Sequence, residues 1–75
     1  MKIIYHPAYI SLVKKLINER KEIGMTQAEL AQKLAKHQSY VAKVEVCERK
    51  LDVIEFVEWC QALDLVASRF ISNIE

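Results

Sequence analysis

Residues 33–45 read KLAKHQSYVAKVE, and whether they form one helix or two decides the fold. On either side apolar residues recur at helical spacing, with Leu30, Ala31 and Leu34 before and Val41 and Val44 after. Between Leu34 and Val41 that rhythm lapses for one turn, with neither glycine nor proline there to break it. In a helix running unbroken from 27 to 46, the line through Leu30 and Leu34 continues through Gln38 and Ala42. Val41 and Val44 then point roughly 100–200° away from it, at ~100° per residue. The apolar stripe slides off the core. A bend at Ala35, Lys36 and His37 lets both halves face inward, so the stretch is read as two helices joined by a three-residue turn.

Outward from that bend the chain reads as helix throughout. A single glycine and a single proline leave too little turn chemistry for sheets. Pro7 suits the first position of a helix, where no N–H partner is needed. Tyr9, Leu12, Val13, Leu16, Arg20 and Ile23 then trace one face, which predicts a first helix over 8–23. Gly24 is placed to end it in the left-handed conformation. In MTQAEL, Thr26 and Glu29 have the spacing of a capping box, and Met25 and Leu30 that of a hydrophobic staple. The second helix therefore follows Thr26 and runs to about Leu34. The same grammar returns in LDVIEF, with Asp52 and Glu55 as the box and Leu51 and Phe56 as the staple. A fourth helix is predicted over 53–63, burying Val53, Phe56, Val57, Cys60 and Leu63. A last amphipathic segment spans 66–74.

Composition bounds what such a chain does. Of its 75 residues, 52% are hydrophobic and 28% charged, which is globular composition. No apolar run approaches the length of a membrane span, and MKIIYHPAYI lacks the apolar core of a signal peptide, so a soluble, cytoplasmic protein is expected. A domain this small buries only about 60% of its unfolded surface, so further support is expected. Cys47 and Cys60 form no CxxC pair, and with His6 and His37 they do not complete zinc-ligand spacing. Reduced thiols, no metal and no cofactor are expected, which leaves self-association as the support. No histidine or cysteine has a partner that would activate a nucleophile, and one glycine builds no phosphate-cradling loop, so no enzyme is expected. The net charge of +1 hides an asymmetry. Residues 1–50 carry ten Lys/Arg against five Asp/Glu, while residues 51–75 carry one Arg against five acids. A basic front and an acidic back point toward a polyanionic partner.

The stretch TQAELAQKLAKHQSYVAKVE resembles the helix-turn-helix of the Cro/Xre family of phage-repressor-like DNA-binding domains. Arg20, Gly24, the following CERKLDVIEF and the final helices fall where that all-α, five-helix fold has them. The resemblance implies one domain over 1–75, with an arm at 1–7, the helix-turn-helix at 26–46 and a C-terminal helix at 65–75. It implies that the third helix, about 38–46, lies in the major groove of double-stranded DNA, with Gln38, Ser39, Ala42 and Lys43 toward the bases. Gln27 is then a phosphate contact that braces Gln38. Thr26 takes a place on the phosphate side besides its cap, and Lys36, His37, Arg49 and Lys50 flank the third helix where phosphates pass. Arg20 and Glu45 match an ion pair that orients the recognition helix. The sequence departs from the family where Ala35 and Cys47 replace glycines, and where Val46 replaces a polar residue.

The function that the resemblance implies is a transcriptional regulator, a repressor acting as a homodimer on a palindromic operator. Trp59, Phe70, Ile71 and Ile74 are the expected dimer face, with Trp59 equally readable as core. Two alternatives stand beside it: an antitoxin that represses its own operon and binds a toxin, and a protein-interaction module that has lost DNA binding.

Overall fold

Proline needs no amide partner in a first turn, and the first helix starts on one. The structure is a computed structural model and describes residues 6–72. It contains α1 (Pro7–Glu22), α2 (Gln27–Lys33), α3 (Gln38–Glu45), α4 (Val53–Ala62) and α5 (Ala67–Ile71). The His6 side chain caps α1, its Nδ1 accepting the Ala8 N–H at 3.2 Å. Both capping boxes form. Thr26 Oγ1 accepts the Glu29 N–H at 3.1 Å while Glu29 Oε1 accepts the Thr26 N–H at 2.9 Å. Asp52 Oδ1 accepts the Glu55 N–H at 2.7 Å while Glu55 Oε1 accepts the Asp52 N–H at 3.0 Å. The bend at 35–37 is real, and Leu30, Val41 and Val44 are all fully buried because of it.

Four helices end in the same way. In each, the residue after the C-cap turns left-handed and two backbone bonds close the last turn. For α1 these run from Gly24 N–H to the Lys21 carbonyl and from Met25 N–H to the Arg20 carbonyl, at 3.0 Å each. Paired bonds of the same pattern end α2 at Ala35, α3 at Cys47 and α4 at Asp64. Gly24 has φ +71°, but Ala35, Cys47 and Asp64 reach +56°, +62° and +61° with a side chain attached. The chain thus keeps the family's tight turns and accepts the strain at the two positions where glycine is missing. It accepts it at Asp64 as well, which the sequence did not announce. Each non-glycine residue held there costs roughly 1–2 kcal/mol, somewhat less for aspartate.

The core gathers Leu16 of α1, Leu30 of α2, Val41 and Val44 of α3, and Phe56, Trp59 and Cys60 of α4. Three expectations need correction. Trp59 is 1% exposed, so it belongs to the core and presents nothing to a second copy. The buried stripe runs Phe56, Trp59 and Cys60 along α4 and on to its C-cap Leu63, and Trp59 stands in its middle. Val53, expected inside, is 76% exposed. It stands in the first turn of α4, at an end of the core where Leu51 is already buried. The last helix is shorter than 66–74, and Ile74, like the arm residues 1–5, lies outside the described residues. No helix among the described residues is long and apolar enough to cross a membrane.

Ala35 is exposed, so replacing it with glycine removes strain and almost no packing. Relief of roughly 1–2 kcal/mol, offset by the larger unfolded-state entropy of glycine, leaves a gain of about 0.5–1 kcal/mol. Thermal unfolding of Ala35→Gly should therefore show a midpoint about 2–8 °C higher than the parent.

Candidate nucleic-acid interface

A buried guanidinium must find partners for its donors, and Arg20 finds them on two other segments. At 7% exposure, its Nε donates to Glu45 Oε2 at 2.7 Å and its Nη2 to Glu45 Oε1 at 2.9 Å. Its Nη1 donates to the Met25 carbonyl at 2.8 Å. The end of α1, the turn before α2 and the end of α3 are thereby tied at one point. Gln27 joins the same carboxylate, its Nε2 donating to Glu45 Oε1 at 2.8 Å. Its carbonyl oxygen then faces Gln38 Nε2 at 3.5 Å, the long limit of a hydrogen bond. A chain of polar contacts runs from the buried arginine to the first residue of α3.

On the outer side of α3, Gln38, Ser39 and Lys43 are exposed and Ala42 is half-buried. His37 precedes the helix, but no side chain caps its start. An uncapped helix start presents amide donors and the positive end of the dipole, the arrangement that receives a phosphate. Next to it lies an open groove of about 490 Å³ lined by Ala35, Lys36, His37, Ser39, Tyr40, Lys43 and Arg49. Lys36, His37 and Lys50 are exposed, Thr26 is exposed at the start of α2, and Gln27 is half-buried.

Arg49, expected as a phosphate contact, also has partners within the fold. It forms a two-pronged ion pair with Glu55, at 2.7 Å for its closest contact, and its guanidinium carbon lies 4.9 Å from the centre of the Tyr40 ring. Lys36 lies 5.5 Å from the same ring centre. Tyr40 in turn accepts the Trp59 indole N–H on its hydroxyl at 3.1 Å. Burial raises the pKa of that hydroxyl, and Trp59 N–H opposes the shift. Tyr9 clasps the loop from the other side, its hydroxyl accepting the Leu51 N–H at 3.1 Å and donating to the Arg49 carbonyl at 3.4 Å. The sequence reading places Tyr9 on the inward face of the first helix and singles out neither hydroxyl. Cys47 and Cys60 are free thiols whose pKa burial pushes up. Among the described residues no three His, Cys, Asp or Glu side chains gather as a metal site.

With this geometry in view, comparison with known proteins decides the family. The model of the helix-turn-helix family matches residues 16–71. This chain belongs to the Cro/Xre-type helix-turn-helix family. Among solved structures it is similar to an XRE-family like protein from Pseudomonas syringae pv. tomato str. DC3000. The two are 39% identical over 89% of this chain and 82% of that one, with a TM-score of 0.86. It also shares the fold of the restriction-modification controller protein C.AhdI from Aeromonas hydrophila, at 23% identity. That match covers 87% of this chain and 98% of that one, with a TM-score of 0.77. A search of curated proteins finds no match. The family fold is that of a DNA-binding transcriptional regulator.

Two measurements test the electrostatics. Glu45→Ala strands the buried Arg20 charge, and urea unfolding should show a loss of about 3–5 kcal/mol. A double Arg20→Met, Glu45→Leu variant, which leaves no charge behind, should lose less. Glu55 has its pKa held below the ordinary 4.5, first by the Arg49 hydrogen bonds and then by the Asp52 amide. Its folded form therefore binds a proton less readily than its unfolded form. The stability it contributes is present above its ordinary value and is lost as pH falls through the folded one. The urea midpoint should drop as pH falls below about 4.5, and drop less in Glu55→Gln.

Proposed function

We propose that this protein is a sequence-specific transcriptional regulator, a repressor that binds a palindromic operator as a homodimer with α3 in the major groove. One observation carries the reading. The exposed row Gln38, Ser39 and Lys43 starts at an uncapped helix end that the Arg20–Glu45–Gln27 network holds to the rest of the fold. Gln38 bonds an adenine edge through both its amide atoms, Lys43 meets a guanine edge or a phosphate one turn on, and Ala42 touches a thymine methyl. Thr26, Gln27, Lys36, His37 and Lys50 meet the backbone on either side and set register without reading sequence.

Dimerisation belongs to the same reading. Phe70 packs against Phe56 with ring centres 6.0 Å apart and planes tilted by 43°, Ile71 and Val66 are exposed, and α4 exposes Ile54. With Trp59 committed to the core, the second copy is met by these remaining apolar side chains. Dimers place their two recognition helices about one helical turn of DNA apart.

Selection from a random duplex pool near physiological salt tests this directly. Enrichment of a palindrome with half-sites about one turn apart is expected, relaxed at one base position in Gln38→Ala. If neither protein enriches any sequence, the DNA-reading role is wrong and a protein-binding role replaces it.

A further inference from the structure

The Arg49 guanidinium is occupied on several sides. Nη1 donates to Glu55 Oε1 at 3.1 Å and to the Lys50 carbonyl at 2.8 Å, and Nη2 donates to Glu55 Oε2 at 2.7 Å. Its planar carbon rests against the Tyr40 ring at 4.9 Å. Glu55 is fixed in its own right, since its Oε1 also closes the capping box at the start of α4. Tyr40 sits in α3 and meets Trp59 of α4 edge-on, with ring centres 6.2 Å apart and planes at 62°. The fork therefore spans from the first turn of α4 to the aromatic side chain of α3, across the loop that joins them. Both Nη1 hydrogens and one on Nη2 are thereby taken within the fold, while Lys36 and Lys43, which line the same groove, are exposed.

We propose that Arg49 is a positioning residue for DNA recognition: by gripping Glu55 and the face of Tyr40 it sets the seat of α3 against α4. The proposal rests on the DNA-binding reading of α3. It separates two roles that a basic residue beside a recognition helix can have. A phosphate contact raises affinity for every duplex alike, whereas a positioning contact raises affinity for the cognate duplex alone.

The test compares the parent with Arg49→Lys, Glu55→Gln and the double variant, on the selected duplex and on an unrelated duplex of equal length. Lysine keeps the charge that serves a phosphate and loses the planar fork. Glutamine keeps the capping box and loses the ion pair. Circular dichroism confirms that each variant is folded. Each single variant is expected to lower the ratio of the two affinities about tenfold, and the double no further than either. Binding to the unrelated duplex and its salt slope stay as in the parent. Emission from Trp59, the single tryptophan of the chain, shifts to the red as water reaches its N–H. A Lys36→Ala control weakens both duplexes equally and lowers the salt slope by about one.

Arg49→Lys with an unchanged ratio and unchanged emission overturns the proposal. So does Glu55→Gln that tightens both duplexes alike, because it shows a released Arg49 taking up phosphate. If the parent itself prefers no duplex, the DNA reading has failed, and that is seen before any variant is made.

Discussion

A charge removed from water must be matched where it is buried, and in this fold that requirement falls on Arg20. Its three donor atoms are satisfied by Glu45 and by the Met25 carbonyl, so α3 can occupy only the position that brings Glu45 to it. Such a pair adds little net stability, because desolvation offsets most of the attraction. What it supplies is a single geometry. Sliding α3 by one turn past α1 strands two buried charges, a far larger cost than loss of apolar contact over the same distance. Gln27 extends the constraint outward by bonding the same carboxylate, so the order imposed in the interior reaches the first residue of the exposed row.

The helix ends show what the small size demands. Successive helices must reverse within a few residues to enclose one core, and a left-handed residue does this with two backbone bonds per turn. Glycine supplies the conformation freely at Gly24, whereas Ala35, Cys47 and Asp64 adopt it against a steric cost. The buried side chains on either side hold them there. Leu30 before Ala35 and Val41 after it are fully buried, and relaxing the turn would pull one of them from the core.

Much of this was legible in the sequence, for a physical reason. Capping boxes join residues three apart, so the Thr26–Glu29 and Asp52–Glu55 patterns carry their partners with them. The bend at 35–37 was legible because helical period and core burial conflict without it. Val53 was misjudged because a stripe of apolar residues says which side of a helix is inward, not where the core ends, while the sequence left Trp59 open between core and dimer face. The ties of Arg49 within the fold were not legible, for another reason. A basic side chain beside a recognition helix satisfies itself equally well on a phosphate or on a carboxylate, and only the packing of α4 brings Glu55 within reach. Tyr9 was legible as part of the inward stripe of α1, but the bonds of its hydroxyl were not, since a hydroxyl that clasps a loop looks in sequence like any other phenol.

The two holds on α3 also differ in their response to solvent. The Arg20–Glu45 side chains are 8% and 6% exposed, so salt barely screens them. The Arg49 side chain is 42% exposed, and its pairing with Glu55 lies within reach of dissolved ions. Under the positioning role proposed for Arg49, raising salt loosens one edge of α3 while leaving the other fixed. Loss of phosphate attraction lowers affinity for all sequences together, but a helix tilting about its Glu45 end loses base contacts first. In such an arrangement the ratio between cognate and unrelated DNA depends on salt in addition to the affinity itself, and the reason is the unequal burial of two arginines.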